Sequence, residues 1–407
     1  MYKPLEGVKV VDLTYFVAGP GTARILADWG ADVIKVEPFW GDPGRLTGAG
    51  MGAPADFGCN PFYSCYNSEK RGISVDLKSE KGMEIIGKLL ETADVFISSY
   101  RTKALVKLGL DYETMHKKYP QIVWAQVNGF GDLGPAKDNP GFDTVAFWAR
   151  SGAMLDAAEK GTTVNPPIGF GDATTSCSLA GGIAAALYQQ QKTGLGAKVM
   201  ISLFGQALWN LSALVASTQY GDEYPKTRKA ANSPVINSYE CEDGKWIFLS
   251  ILEHERYYET FCKVIEREDL IGNKNFETTQ AAKDNAPELI SIISEQFKQW
   301  TQEEMHQKLL NADIAHEKIQ GVFDAINDPQ AQENNYVYKV DNRDGTKSIM
   351  AMPPVKFNTV AVKVKNDAPL IGENNEEVLV ELGYSEEEIK QLAEENIIKS
   401  VAYETAK

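Results

Sequence analysis

Apolar residues recur along this chain in two alternating rhythms, short β-branched runs and longer stretches at helical spacing. Residues 7–13 (Gly-Val-Lys-Val-Val-Asp-Leu) read as a buried strand. Ala18-Gly19-Pro20-Gly21 reads as a tight turn. Residues 22–29 read as a helix with Pro20 near its start and Gly30 at its end, and 33–36 as the next strand. Strand, helix and strand in that order predict a βαβ unit and a parallel sheet. The rhythm continues with strands at 73–77, 94–98, 122–127 and 198–203, and with helices at 79–92, 112–118 and 204–217. Between the last two strands lie a glycine loop at 129–135 and a Pro/Gly-rich loop from Pro166 to Asp172. A small-residue helix follows at once. Cys177, Ala180, Ile183 or Ala184, and Leu187 give it one apolar stripe, and Gly194 supplies the stop.

The pattern changes after Tyr220. Residues 221–229 are polar and turn-rich, as a linker would be. Strands at 238–241 and 246–250 flank an Asp243-Gly244 turn, and helices are expected at 255–265, 287–300 and 302–311. We therefore read 1–224 as a large α/β domain, 225–325 as a smaller α+β domain, and 326–407 as a tail. The tail carries strands at 336–340 and 347–350 and helices at 375–382 and 385–389.

Composition narrows the function. With 407 residues and 43% hydrophobic content, the chain has enough core for two domains. A net charge of −15 weighs against a nucleic-acid partner. No run of about 18 apolar residues and no apolar leader are visible, so neither a membrane span nor secretion is expected. Five cysteines without a CxxC pair fit reduced thiols, hence a cytoplasmic protein. Four histidines show no metal-ligand spacing, and no GxSxG elbow is present; no metal is expected. The turn after the first strand falls short of a dinucleotide fingerprint, since Arg24 stands where GxGxxG needs its third glycine. Glu37 alone could mimic the ribose-binding acid of a dehydrogenase.

Asp172 is the residue with most chemical potential, and two readings of it are open. It could cap the helix that follows. It could instead be a carboxylate nucleophile, kept ionised by the helix end on a glycine loop that admits substrate.

A resemblance bears on that choice. Residues 5–13 with Ala18-Gly19-Pro20, residues 30–37, Lys70-Arg71, 76–78 and 109–112 resemble the family III CoA-transferases. So do Gly129-Phe130-Gly131 with Gly134-Pro135, Gly171-Asp172, and Ala368-Pro369-Leu370-Ile371-Gly372-Glu373 followed by Val378-Leu379. Residues 101–107 and 140–143 look closest to clostridial members acting on 2-hydroxy acids in amino-acid fermentation.

The resemblance implies a Rossmann-like large domain built from both chain ends, a small middle domain, and a homodimer of interlocked subunits. It implies that Asp172 attacks an acyl-CoA, giving a mixed anhydride and then an aspartyl-CoA thioester that an acceptor acid resolves. Backbone N–H groups at Gly169 and Gly171 are candidates to stabilise the oxyanions. Val17, Ala18, Val75, Lys78, Ala104 and Lys107 fall at family CoA-contact positions, and Arg45 and Arg101 are further candidates for its phosphates. Coenzyme A enters as a thioester substrate, and no prosthetic group is implied. Tyr15, Phe16, Phe147, Trp148 and Phe170 flank the expected site and suit an apolar acyl group.

Departures from the family occur at Pro38, Glu69, Ser98-Ser99 and Asn374, and bear on how CoA is held. The chain also lacks the tetraglycine run of formyl-CoA transferase. Two rival readings share the fold: an α-methylacyl-CoA racemase and an inactive CoA-binding protein. Related racemases place a histidine before the aspartate matching Asp143, and this chain has Phe142 there.

Overall fold

The computed structural model describes residues 3–360, 364 and 367–402. Six strands form one wholly parallel sheet: β1 (Lys9–Leu13), β2 (Asp32–Glu37), β3 (Arg71–Ser74), β4 (Val95–Ser98), β5 (Val123–Asn128) and β6 (Lys198–Ser202). Their spatial order is β3-β2-β1-β4-β5-β6, the doubly wound order of dinucleotide-binding folds. In β1, Val11 stands beside Ile34 of β2 and Phe96 of β4. The strands read as near-continuous Val and Ile because both sheet faces are covered.

Ala18–Gly21 is not a turn. It is the first turn of the helix Ala18–Asp28, and its glycines serve close packing. A β-carbon on Gly21 would lie 2.5 Å from Ser176 Oγ, where this helix meets the long helix Phe170–Thr193. Ser176 seals that contact by donating to the Ala18 carbonyl at 2.8 Å. The long helix buries Ala180, Ile183 and Leu187 as its spacing predicts, and Leu179 with them, whereas Cys177 is exposed.

Contacts divide the chain into two units. The larger holds residues up to 153, 166–213 and the chain from 328 onward; the smaller holds 154–165 and 214–327. The smaller unit thus begins earlier than the polar stretch at 221–229 suggests, and it takes in a separate segment with no compositional mark of its own. It contains an antiparallel sheet of β7 (Ile236–Glu240), β8 (Trp246–Ser250) and β9 (His316–Ile319). Ile247, Leu249, Phe261, Ile293, Phe297 and Leu309 form its fully buried centre.

The tail carries the hairpin β10 (Val337–Asp341) and β11 (Lys347–Ala351), then the helices Asn375–Glu381 and Glu386–Glu394. It closes the β3 edge of the large sheet, which would otherwise expose unpaired backbone. The amides of Gly72 and Ser74 donate to the side chains of Asn374 and Asn375 at 2.8 and 2.9 Å. Among the described residues, no helix is long and apolar enough to cross a membrane.

Candidate active site

In a 3-2-1-4-5-6 sheet the chain leaves β1 and β4 in opposite directions, which opens a crevice at their C-terminal ends. A cleft of about 200 Å³, open to solvent, lies there. Tyr15, Phe16, Val17 and Ala18 line it from the segment after β1, Ser99 and Arg101 from that after β4, and Asn128 and Gly129 from the end of β5. Asp172 completes the lining.

Asp172 is not the cap of its helix. Gly169 takes that position with φ of +78°, a conformation that favours glycine, and Asp172 follows inside the first turn. Its half-buried carboxylate has no cation paired with it among the described residues. Burial pushes this carboxyl up to about 7, and the negative charge of Asp143 adds to the rise.

Asp143 is a functional candidate that sequence reading missed. It opens a short π-helix, Asp143–Ala149, and is only 5% exposed. Burial pushes its carboxyl up to about 6, opposed by the amides of Gly169, Gly171 and Phe170, which face it at the helix start. Neither oxygen closes a well-aligned hydrogen bond among the described residues. A β-carbon on Gly171 would lie 2.3 Å from Asp143 Oδ1 and from the Phe147 ring, so only glycine fits here. The amides of Gly169 and Gly171, singled out as oxyanion donors, are therefore turned toward a protein carboxylate. Tyr66 is a second missed residue. Its hydroxyl would lie 3.4 Å from a β-carbon on Gly169. Burial raises the phenol's pKa, with Cys65, Asp172 and Asp143 adding to the effect.

Other sequence candidates divide clearly. Tyr15, Phe16, Val17, Ala18 and Arg101 gather with Asp172. Phe147 and Trp148 do not face the cleft: both are buried, and the Phe170 ring lies tilted against Trp148, with centroids 5.6 Å apart. Val75 is a core residue paired with Ile398. Lys78 and Lys107 are exposed, Ala104 is half-buried, and none of the three lines the cleft. Arg45 is held elsewhere. Its guanidinium pairs with Glu37 at 2.5 Å, donates to the Pro369 carbonyl at 2.8 Å and lies 4.0 Å from the centre of the Tyr63 ring.

Glu37 is thereby unavailable to a ribose. It is 1% exposed and also accepts from Tyr63 Oη at 2.9 Å. Burial alone would raise its pKa, but the Arg45 pair outweighs this and lowers it. The dehydrogenase reading fails on this residue as well as on the incomplete glycine pattern.

Buried charges beneath the cleft hold its wall. Lys70 pairs with Asp12 at 2.8 Å and Lys35 with Asp42 at 3.0 Å, all four side chains fully buried. Asp42 Oδ1 accepts from the amides of Phe16 at 3.0 Å and Gly44 at 2.7 Å. Phe16 consequently sits at φ of +65°, strained for a residue with a side chain. Among the described residues no cluster of three His, Cys, Asp or Glu side chains could hold a metal ion.

The model for CoA-transferase family III matches residues 5–375. The chain belongs to that family. This CoA-transferase is 38% identical to the (R)-2-hydroxy-4-methylpentanoate CoA-transferase of Clostridioides difficile, over 97% of this chain and 99% of the relative. It is 40% identical to the cinnamoyl-CoA:phenyllactate CoA-transferase of Clostridium sporogenes, over 97% of each. Among solved structures it is similar to a CaiB/BaiF family protein from Brucella suis, with a TM-score of 0.79 and 26% identity over 94% of this chain and all of the other.

Proposed function

We propose that this CoA-transferase moves CoA from an acyl-CoA or enoyl-CoA to a 2-hydroxy acid, with Asp172 as the covalent nucleophile. The observation that carries this reading is Asp172 itself: a half-buried carboxylate without a paired cation, in the switch-point cleft, with a pKa near 7. Burial makes it a more basic and hence stronger nucleophile than an ordinary aspartate, while about half of it stays ionised at neutral pH.

The reaction follows without an added proton. An Asp172 oxygen attacks the thioester carbonyl carbon, the C–S bond breaks, and CoA thiolate leaves a mixed anhydride. The thiolate attacks the aspartyl carbonyl and frees the donor acid, leaving an aspartyl-CoA thioester. The acceptor carboxylate attacks that thioester, its C–S bond breaks, and CoA thiolate leaves a second anhydride. Thiolate attack on its acceptor-side carbonyl gives the new acyl-CoA and restores Asp172. Holding both partners against one carboxylate supplies the rate advantage of proximity.

Oxyanion support has two candidate sources. One is the Gly169–Gly171 amides that Asp143 already faces. The other is the uncapped start of the Ala18–Asp28 helix, whose Ala18 and Gly19 amides are left unpaired by helix geometry and which lines the same cleft. Arg101 and the exposed Lys137 line the cleft too and suit the CoA phosphates. The interlocked homodimer belongs to this proposal through the family resemblance, and the cytoplasmic location through the cysteine pattern. Light scattering on the purified protein tests the first of these.

The reading is tested by peptide mass spectrometry after mixing the enzyme with a panel of acyl-CoAs, with and without hydroxylamine. A hydroxylamine-sensitive adduct on the Asp172 peptide, absent from Asp172→Asn, is expected. No adduct, together with loss of α-deuterium from a branched acyl-CoA, would instead establish the racemase reading.

A further inference from the structure

Phe142 is 52% exposed, yet it lines the cleft that contains Asp172. Its ring meets that of Phe16 edge to face, with centroids 5.3 Å apart and planes at 89°. Exposed aromatic surface inside a concave site is surface that a ligand can cover.

Both rings stand on backbone that is fixed from below. Asp42 clamps the Phe16 amide, and Gly44 packs so closely that a β-carbon there would lie 3.2 Å from Phe16 Cα. Phe142 follows Gly141, which crosses Gly129 backbone to backbone; a β-carbon on Gly141 would lie 2.6 Å from Gly129 Cα. After Phe142 comes buried Asp143. A strained residue that its surroundings over-determine, facing a preformed aromatic neighbour, is the construction expected of a recognition surface.

We propose that Phe16 and Phe142 form one aromatic wall that reads the side chain of the acid, selecting aryl or branched aliphatic groups over small or charged ones. Apolar groups gain by covering the rings, whereas a second carboxylate laid against them would lose hydration without a partner. Phe147, Trp148 and Phe170 lie outside this wall. The proposal rests on the transferase reading of the same site and narrows it to a substrate class.

The test compares wild type, Phe142→Ala and Phe142→Leu on three 2-hydroxy acids, bearing a phenylmethyl, an isobutyl and a methyl group, with one common acyl-CoA donor. Adduct formation at Asp172 from that donor is measured in parallel. We expect Phe142→Ala to lower kcat/KM about 10- to 50-fold for the two larger acids and no more than about twofold for the methyl acid. Phe142→Leu should recover the isobutyl acid and not the phenylmethyl one. Equal losses on all three acids, or no loss, would overturn the wall, as would a wild type that labels at Asp172 but does not prefer the larger acids. Absence of the adduct in wild type would instead sink the transferase reading.

Discussion

Replacing Asp143 by Asn separates the two causes of the raised Asp172 pKa. Burial is the larger cause and the Asp143 charge the smaller, and together they raise it to about 7. Only ionised Asp172 attacks, so single-turnover acylation in wild type should rise with pH about a midpoint near 7 and fall to about one-tenth of its plateau at pH 6. In Asp143→Asn the midpoint should move to lower pH but stay above that of an ordinary aspartate, because burial is untouched. The acylated fraction, quenched at fixed times and read by intact mass between pH 5 and 9, gives both curves. A thermal melt of each variant checks that the helix start still forms. A midpoint that stays put, or that rises, would refute electrostatic coupling between the two carboxylates.

Asp172→Asn should abolish transfer and also stabilise the protein in a pH-dependent way. Since folding raises this pKa, the native state is favoured while the carboxyl is protonated, and that stability is lost as pH rises from about 4 through about 7. The variant should therefore gain ~1–3 kcal/mol over wild type at pH 8, less at pH 5 and almost nothing near pH 3, read from denaturant midpoints. Gly171→Ala forces a methyl into Asp143 and Phe147. It should cost ~1–3 kcal/mol in urea unfolding and slow acylation at least tenfold. Arg101→Ala and Lys137→Ala should each raise KM for acyl-CoA with kcat nearly unchanged, and weaken its dependence on salt; initial rates at low and high ionic strength decide this.

Much of the fold is written in the periodicity of the chain. Val10, Val11, Ile34, Val36 and Phe96 announce buried parallel strands because side chains covered on both sheet faces must all be apolar. Asp172 stood out as a lone carboxylate between a glycine loop and a helix, a pattern that fits a helix cap as well as a nucleophile, and the family resemblance favoured the second. Other features depend on contacts between residues far apart in the chain. The glycines at 19 and 21 look like a turn until the helix crossing at Ser176 is seen. Lys70 is part of a motif that carries the family resemblance, and only the fold shows it buried beside Asp12, 58 residues away in sequence. Arg45 and Glu37 each have the chemistry of a ligand-binding residue, and only their mutual pairing removes both from that role. Phe147, Trp148 and Phe142 are near neighbours of one chemical kind, but packing buries the first two and leaves the third in the cleft. By itself the sequence determined which segments form strands and singled out Asp172 as a candidate carboxylate, because those depend on local pattern and motif. Only the tertiary structure decided which charges are neutralised, which aromatics face the ligand, and that Asp143 stands against the helix start beside Asp172, because each is a contact between distant parts of one chain.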